Sequence, residues 1–363
     1  MPPSWQDYFL SIWEEPEMNL EEFNYHLPKE RIAQNPCEER SRSRMMVVNR
    51  RTASIQHDHF YHLPAFLKNG DVLVINDSKV IPARLIGKKE TGGGIEILLL
   101  SRISSETPLT QTWEVLLKPA KRVSIGTRIV FEARCEARVI ERRSDKKWLL
   151  DFAMTIPFAH FLERYGSAPL PPYIKRKKSS SHPLEDIQRY QTIYARRPGS
   201  VAAPTAGLHF SEEVLAALKN QGIEIAPVTL HVGYGTFLPI ETTSVEDHVM
   251  EAEFFQIEEA SAEKINRARR IIAVGTTSAR VIESAVDEQG RVNAGSAWTR
   301  LYIYPGYRFK RIQALLTNFH LPMSSLFLLV CAFAGRDLMQ RAYRQAIENR
   351  YRFYSYGDCM LIL

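Results

Sequence analysis

The stretch RIIAVGTTSARVIESA, residues 270–285, decides the class of the fold. It begins with an apolar run that ends at Gly275 and predicts a buried strand. Hydroxyl residues follow, and the apolar spacing after Ser278 predicts a helix. A buried strand that leads directly into a helix is typical of α/β domains. In open sheets of this class, ligands usually bind at the carboxyl ends of the strands.

The chain from residue 154 onward continues this alternation of strands and helices. Ser211 is predicted to cap a helix that Gly222 ends in a left-handed conformation. Apolar-faced helices are expected later in the chain, after the strand that ends near residue 318. The remaining predictions are helices over residues 324–335 and 336–353 and strands over residues 223–232, 299–304 and 359–363.

The segment over residues 75–153 has a different pattern. Short β-branched runs are separated by turn residues at 91–94 and 125–126, which predicts a small antiparallel barrel or sandwich. Residues 19–74, with a predicted hairpin and the strand GDVLVIN, look like the first piece of the α/β domain. We therefore predict a main α/β domain of residues 19–74 and 154–363, an insertion of residues 75–153, and an N-terminal extension of residues 1–18.

The composition limits the class of protein. The chain has 363 residues, a formal net charge of +6 and 4 cysteines, no two of which have the spacing of metal ligands. The N-terminus does not have the pattern of a signal peptide, and no apolar run approaches the roughly 20 residues of a membrane span. We expect a cytoplasmic protein without a membrane span or a bound metal. The basic excess indicates either solvated faces or an anionic macromolecular partner.

Thr276, Thr277 and Ser278 form the first candidate ligand-binding group. The free backbone N–H groups of a helix start attract anionic or electron-rich groups, and hydroxyls add further donors. An ordinary threonine cap is the alternative, but it explains only one of the hydroxyls. Gly275 would allow a ligand to approach the backbone closely.

Three histidines lie at predicted junctions between elements, each near Gly, Pro or Asn: His209, His231 and His320. Histidine titrates near neutral pH and is therefore a candidate for proton transfer. A hydrogen-bonded structural histidine is the alternative at each position. For His209, the start of the next helix is expected to lower the pKa of the imidazole and keep it neutral.

Two further stretches near strand ends carry candidates. Gly233 and Gly235 follow a predicted strand, but no helix follows promptly, so the dinucleotide fingerprint fails. Asp358 lies between a glycine and the last strand, where it is either a turn former or a carboxylate of the site.

The stretch before residue 200 interleaves aromatic and basic residues. Tyr173 and Tyr194 alternate with Arg176 and Arg189, a pattern suited to stacking on bases and contacting phosphates. A solvated linker and helix is the alternative. Residues 176–182 are predicted to form a surface loop.

Taken together, these stretches occur in the order of one enzyme family. The motifs include GDVLVINDSKVIPARLIG, PLPPYI, VAAPTAGLHF, TLHVGYGTFLP, AVGTTSARVIES, YIYPGY, LLTNFHLPMSSL and FYSYGDCMLI. The chain resembles the S-adenosylmethionine:tRNA ribosyltransferase-isomerases of queuosine biosynthesis from about residue 23 to its end. The resemblance implies an α/β main domain with an inserted small antiparallel β-barrel domain.

The resemblance also implies a reaction. The ribosyl part of S-adenosylmethionine is transferred and isomerised onto 7-aminomethyl-7-deazaguanine at the anticodon wobble position of tRNA. Epoxyqueuosine forms, and adenine and methionine leave. The acidic C5′ proton beside the sulfonium requires a general base. The candidate acid–base and carboxylate residues are His209, His231, His320 and Asp358.

Binding roles follow from the same resemblance. The donor substrate is expected to contact small and hydroxyl residues at the strand ends, together with one arginine that can pair with a carboxylate. These residues are Thr205, Gly207, Gly233, Gly235, Gly275, Thr276, Thr277, Ser278 and Arg280. The tRNA is expected to contact Asn76, Lys79, Arg84, Tyr173, Arg176, Arg189 and Tyr194. We expect these groups to converge in one pocket beside a cationic surface of a monomer.

Three positions depart from the family pattern. Glu251 stands where a histidine is usual, Gln313 where an aspartate is usual, and Tyr234 where a small residue is usual. If the usual histidine transfers a proton, Glu251 must do so here. The alternative functions are a non-catalytic tRNA-binding relative and an S-adenosylmethionine or nucleoside hydrolase.

Overall fold

The structure is a computed structural model that describes residues 17–121, 123–176, 183–237 and 239–363. The predicted N-terminal extension, apart from residues 17 and 18, and the predicted loop after Arg176 lie outside the described residues. Among the described residues, no helix is long and apolar enough to span a membrane.

The strands and helices alternate in the second half of the chain, as the sequence predicts. The strands are β1 (Arg44–Asn49), β2 (Ser54–His59), β3 (Asp71–Asn76), β4 (Ser78–Val80), β5 (Arg84–Lys89), β6 (Gly94–Thr107), β7 (Thr110–Lys118), β8 (Arg128–Val130), β9 (Glu136–Arg142), β10 (Lys147–Ala153), β11 (Arg197–Ser200), β12 (Glu224–Leu230), β13 (Glu253–Ile257), β14 (Arg270–Val274), β15 (Gly295–Thr299), β16 (Ala314–Asn318) and β17 (Cys359–Ile362). The helices are α1 (Phe158–Tyr165), α2 (Pro183–Arg189), α3 (Glu212–Asn220), α4 (Glu259–Arg267), α5 (Gly275–Ala285), α6 (Ser325–Ala334) and α7 (Arg336–Glu348).

The main sheet has the strand order β15-β13-β12-β3-β14-β16-β17-β1-β2. Its centre, β12-β3-β14-β16, is parallel, and apolar residues on both faces are buried. Such strands read as continuous apolar runs because helices or loops cover both faces. The four parallel strands end at one edge of the sheet. The strand β17 is antiparallel to β16, so it begins at that edge, and so does its parallel neighbour β1.

The inserted domain is a closed barrel with the strand order β10-β7-β6-β5-β8-β9. All of its pairings are antiparallel, and alternate side chains such as Ile97, Val115 and Leu150 fill the interior. Closure leaves no unpaired strand edge. This architecture confirms the predicted main α/β domain with an inserted small antiparallel β-barrel. The barrel strands run from residue 84 to residue 153, while β3 and the short pair β4-β11 lie outside the barrel.

Several local predictions are confirmed in detail. Ser211 accepts a hydrogen bond from the backbone N–H of Val214 at the start of α3, and Gly222 after the helix has a φ of +75°. Ser324 caps α6 in the same way as Ser211 caps α3.

The predicted strand over residues 299–304 is wrong. The strand β15 ends at Thr299, which pairs with Glu253, the first residue of β13. Beyond this pair the neighbouring strand offers no partner. The Leu301 N–H instead bonds to the Thr299 hydroxyl, and the Leu301 carbonyl accepts a hydrogen bond from Arg280.

Candidate active site

The carboxyl edge of the four parallel strands collects most of the predicted chemistry. His231 follows β12, Asn76 ends β3, Gly275 follows β14, and Asn318 ends β16. Neighbouring strands lie about 4.8 Å apart, so the outer two of these positions are separated by about 14 Å along the edge. Strand order thus brings together residues that are more than 240 positions apart in the sequence.

The start of α5 occupies the middle of this edge. Gly275 has a φ of +86°, a left-handed conformation that favours glycine, and the three hydroxyl residues after it are almost fully buried. The Ser278 hydroxyl has no hydrogen-bond partner among the described residues. The free N–H groups at the start of this helix and the unpaired hydroxyl can therefore donate hydrogen bonds to a polar or anionic group of a ligand.

Asn76 joins two strand ends and is not available for RNA. Its side chain is completely buried, its Nδ2 donates to the Leu230 carbonyl at 3.0 Å, and its Oδ1 accepts from the N–H groups of Ser78 and Leu230. The prediction of a tRNA contact at Asn76 is therefore wrong. The amide replaces ladder hydrogen bonds where β12 and β3 end.

His209 lies in a tight turn over residues 205–209, enclosed by the protein. Nδ1 is 2.7 Å from the Ser43 hydroxyl, and Nε2 accepts a hydrogen bond from Asn318 Nδ2 at 3.1 Å. Because Nε2 accepts, the neutral ring carries its proton on Nδ1 and donates it to Ser43. Burial lowers the pKa of His209 to about 3, with Arg352 and Arg40 adding to the effect. The predicted direction is correct, but burial is the main cause.

His320 is also buried and hydrogen-bonded. Nε2 is 2.9 Å from the Thr317 hydroxyl, and burial lowers the pKa of His320 to about 3. Its ring lines a cavity of about 180 Å³ that Thr205, Tyr173 and Asn318 also line. The Asn318 Oδ1 has no hydrogen-bond partner among the residues described, so this cavity offers an unpaired acceptor.

His231 has a different setting. It lines a cleft of about 680 Å³ between the main sheet and the barrel, and its Nδ1 is buried without a partner in the described part of the chain. A Cβ on Gly199, whose φ is +145°, would lie 2.8 Å from the imidazole, so only glycine fits against this ring. Burial lowers the pKa of His231, Asp77 opposes the shift, and Arg197 and Arg102 add to it.

Asp77 is a residue that sequence reasoning missed. Its carboxylate is buried and accepts hydrogen bonds from the Thr229 hydroxyl at 2.6 Å and from Arg196 at 2.9 Å. A buried carboxylate near an imidazole stabilises the protonated form of the ring. The sequence signal that points to Asp77 is its position directly after the buried apolar run of β3.

Two of the three guanidinium nitrogens of Arg280 are engaged within the protein. This residue is 3% exposed, forms an ion pair with Glu253 and donates from Nε to the Leu301 carbonyl at 2.9 Å. Glu253 Oε1 also accepts a hydrogen bond from the Gly233 N–H at 2.9 Å. The Arg280–Glu253 pair thus anchors the loop after β12. Arg280 Nη2 has no hydrogen-bond partner among the described residues, so the pairing of Arg280 with a substrate carboxylate stays a prediction.

Three other predicted site residues have structural tasks. Asp358 accepts hydrogen bonds from the backbone N–H groups of Arg44 and Arg352, so it is the turn former that the sequence left open. A Cβ on Gly207 would lie 2.1 Å from the Tyr194 hydroxyl, so this glycine allows close packing. Gly235 packs in a similar way against the carboxylate of Glu251.

Most of the predicted tRNA contacts are engaged within the protein. Tyr173 bonds to Ser355, Tyr194 has a buried hydroxyl, and Lys79 alone of this group is exposed. The three arginines all bond to partners within the protein. Arg84 bonds to the Leu170 carbonyl and Glu96, and Arg176 bonds to Asp186 and the Gln34 carbonyl. Arg189 donates to the carbonyls of Cys37 and Glu38.

The predicted residues do not line one pocket. Thr205 and His320 line the smaller cavity, His209 borders a shallow depression beside it, and His231 and Gly233 line the cleft against the barrel. The buried ends of β3 and β14 lie between these sites on the edge. The expectation of a single convergent pocket is therefore wrong. The sheet edge instead carries two neighbouring concave sites.

The three departures from the pattern have separate surroundings. Glu251 lines the cleft and forms an ion pair with Lys147 of the barrel, and Tyr234 lines the same cleft. Gln313 precedes β16 and accepts a hydrogen bond from the Ile271 N–H, so it lies at the opposite end of the parallel strands. Only the first two departures can affect chemistry at the carboxyl edge.

The described residues contain no group of three or more His, Cys, Asp or Glu side chains that could hold a metal ion.

Comparison with known proteins gives close relatives over nearly the whole chain. The sequence model of the family described as "Queuosine biosynthesis protein" matches residues 20–362. A protein of Syntrophus aciditrophicus named S-adenosylmethionine:tRNA ribosyltransferase-isomerase is 63% identical over 361 residues, covering 95% of this chain and 100% of the relative. A protein of the same name from Natranaerobius thermophilus is 50% identical, covering 95% of this chain and 99% of the relative.

A solved structure is similar as well. The crystal structure of S-adenosylmethionine tRNA ribosyltransferase from Thermotoga maritima has 35% sequence identity and a TM-score of 0.52. The similarity covers 94% of this chain and 100% of that chain.

Proposed function

The chain belongs to the family of queuosine biosynthesis proteins, and on that basis we propose that it is an S-adenosylmethionine:tRNA ribosyltransferase-isomerase. The observation that carries the proposal is the 63% identity to a relative of that name, which this chain covers over its full length. The matched region of 361 residues includes both the sheet edge and the barrel.

The proposed reaction moves the ribosyl group of S-adenosylmethionine to the aminomethyl nitrogen of 7-aminomethyl-7-deazaguanine in tRNA. A base removes the C5′ proton, which the adjacent sulfonium makes acidic. The bond between the sugar and adenine breaks, and adenine leaves with a proton. The amine nitrogen loses a proton and bonds to the sugar, the C5′ carbanion forms the carbon–carbon bond that closes the carbocycle, and the ring oxygen closes the epoxide as the carbon–sulfur bond breaks and methionine leaves. The product is epoxyqueuosine in tRNA. A neutral amine is needed for the attack, and a site shielded from water favours it.

We assign the role of general base to His231. Its position in an open cleft supports this role, as do its unpartnered Nδ1 and a pKa below the usual value, which keeps the ring neutral at pH 7. His209 and His320 are less suited because both rings are buried, and hydrogen bonds occupy both ring nitrogens of His209 and Nε2 of His320. Asp77 is assigned the role of favouring the protonated form of His231 electrostatically.

We assign the donor substrate to the middle of the sheet edge. The start of α5, with Gly275 and the unpaired Ser278 hydroxyl, supports binding of its polar groups. The smaller cavity next to it, with Thr205 and the free Asn318 Oδ1, supports hydrogen bonds to a sugar or a base.

We assign the tRNA to the cleft between the sheet and the barrel, where the wobble nucleotide of the anticodon loop would reach His231. The size of the cleft supports entry of an extruded base. The proposed enzyme acts as a monomer in the cytoplasm, where its tRNA substrate is found.

One assay tests this function against the two alternatives. The protein is incubated with S-adenosylmethionine and tRNA that carries the aminomethyl base, and adenine and the modified nucleoside are measured. Release of both only in the presence of this tRNA is expected. Adenine release without tRNA would indicate a hydrolase. Binding of tRNA without adenine release would indicate a non-catalytic relative, and either result would reject the proposal.

A further inference from the structure

A row of aromatic rings leads from His231 to the surface of the molecule. The imidazole lies nearly parallel to the Phe254 ring, with centroids 6.0 Å apart and an interplanar angle of 19°. The Phe254 ring in turn contacts the Trp298 indole edge-on, with centroids 5.7 Å apart. We call these three residues the aromatic row. It runs across β13 onto the edge strand β15, because Phe254 and Trp298 are directly paired.

Trp298 ends the row and is largely exposed. Its side chain has a relative exposure of 66%, which is unusual for the largest apolar residue type. An exposed tryptophan of this kind commonly marks a binding surface rather than part of a core. The proposed chemistry does not use it, and sequence reasoning did not find it.

Two arginines that have no ion-pair partner among the described residues line the same cleft as Trp298. Arg102 from β6 of the barrel and Arg300 just after β15 both line this cleft and are exposed. Neither forms an ion pair with any residue in the described ranges. Lys147 differs because Glu251 and Glu114 neutralise it. The two arginines are therefore the unneutralised cations of the cleft wall.

We propose that Trp298 is a stacking platform for an unpaired nucleotide next to the target nucleotide of the tRNA, with Arg300 and Arg102 bound to the adjoining phosphates. This inference rests on the proposed function. Single-stranded RNA loops are recognised by bases that stack on aromatic side chains, while cations follow the backbone. An exposed indole in the same cleft as two arginines without ion-pair partners in the described part of the chain matches that pattern.

The position of the row favours RNA over the donor substrate. β15 is four strands away from β14, so Trp298 lies about 19 Å along the sheet from the start of α5. A small molecule held at α5 would be remote from this ring. A nucleotide chain that places one base at His231 continues outward along the cleft, and its next base meets Trp298.

The first experiment measures the dissociation constant of an anticodon stem-loop for four proteins by fluorescence anisotropy. Trp298→Ala is expected to raise Kd by roughly 5- to 150-fold, the usual range for loss of one base–aromatic stack. Trp298→Phe keeps a ring and is expected to lose much less. Tyr61→Ala is the matched control because Tyr61 is also an exposed aromatic, 44% exposed, beside the opposite edge strand β2.

The second experiment separates stacking from phosphate contact. Arg300→Gln is expected to reduce the slope of log Kd against log salt by about 1, while Trp298→Ala leaves that slope unchanged. A stem-loop with an abasic site next to the target nucleotide is expected to bind wild type weakly, and Trp298→Ala is expected to add no further loss on that RNA.

Three results would overturn the inference. The first is an unchanged Kd of Trp298→Ala for the stem-loop. The second is a further loss of affinity when Trp298→Ala is measured with the abasic RNA. The third is a rise in the KM of Trp298→Ala for S-adenosylmethionine with no rise in its KM for tRNA. If Trp298→Ala does not fold, quenching of tryptophan emission by the stem-loop tests the inference instead. Wild type should lose more emission on binding than Trp298→Phe, and the difference is the emission of Trp298. Wild type that binds no tRNA and releases no adenine would instead reject the proposed function itself.

Discussion

His209 and His231 each lie within two residues of a glycine in the sequence, but the fold gives them opposite surroundings. His209 is enclosed, and both of its ring nitrogens are hydrogen-bonded to the protein. His231 lines an open cleft and has a ring nitrogen without a partner among the described residues. The same residue type in the same kind of local sequence thus serves structure at one site and is available for chemistry at the other.

The difference arises from what lies over each ring. The turn that carries His209 is packed against β1 and β16 by Ser43 and Asn318, which close off the imidazole. His231 faces the barrel, a separate domain that leaves a cleft of about 680 Å³. An inserted domain can therefore create a ligand site when it packs next to the end of a strand of the main sheet and leaves a cleft between them.

The largest expected effect concerns His231. His231→Gln is expected to reduce the rate of tRNA-dependent adenine release by roughly 10²- to 10⁴-fold, the usual contribution of a general base. The free energy of unfolding should change by less than about 1 kcal/mol because the ring is partly exposed. The control is His62→Gln, an exposed histidine that bonds to Asp58 near β2, and this variant should keep full activity. Full activity in His231→Gln would reject His231 as the base.

The next effect concerns His209. His209→Ala is expected to lower the free energy of unfolding by about 3 kcal/mol, because it leaves a cavity and removes the partners of Ser43 and Asn318. Urea unfolding followed by circular dichroism measures the change, and His62→Ala serves as the exposed control. If His209→Ala loses turnover without losing stability, the contrast between the two histidines is wrong.

A smaller effect should appear in the pH dependence of stability. Burial lowers the pKa of His320 in the folded state from 6.5 to about 3. Between these values the unfolded chain binds a proton that the folded chain does not, so stability falls as the pH falls below about 6.5. His320→Gln should remove about 1.4 kcal/mol per pH unit from that slope. Unfolding curves at pH 7, 6 and 5 test this, and equal slopes for wild type and variant would contradict burial of a neutral ring.

The smallest expected effect concerns Glu251, which stands where the family pattern usually has a histidine. Its ion pair with Lys147 is partly exposed, with side-chain exposures of 43% and 26%. Glu251→Gln should therefore change the free energy of unfolding by less than about 1 kcal/mol. Adenine release should fall by less than about fivefold, or about 1 kcal/mol of activation free energy, because the proposed base is His231 and not Glu251. A loss as large as that of His231→Gln would instead make Glu251 the proton acceptor of the cleft.

Much of the fold could be predicted from the sequence. The apolar run of β14, the cap at Ser211 and the alternating strands of the barrel depend on residues close together in the chain. The predicted strand over residues 299–304 is wrong because strand formation there depends on a distant partner. Those residues have a strand-like pattern, but β13 provides no partner beyond Glu253, and pairing is not a local property.

The candidate site was less predictable. The sequence identified His231, Gly275 and the hydroxyls of α5, all of which lie at the carboxyl edge of parallel strands. It did not identify Trp298, which becomes significant only through its pairing with Phe254. It also assigned Arg280 to a ligand, although the fold buries that side chain against Glu253.

The sequence by itself therefore determined the class of the domains, the order of the elements and the family, because periodicity, caps and motifs are carried by neighbouring residues. Only the tertiary structure decided which histidine is open, which charges are already paired and which aromatic residue faces solvent. Burial and pairing depend on strands that are distant in the chain and meet through the order of the sheet. That order is set by packing of the whole molecule.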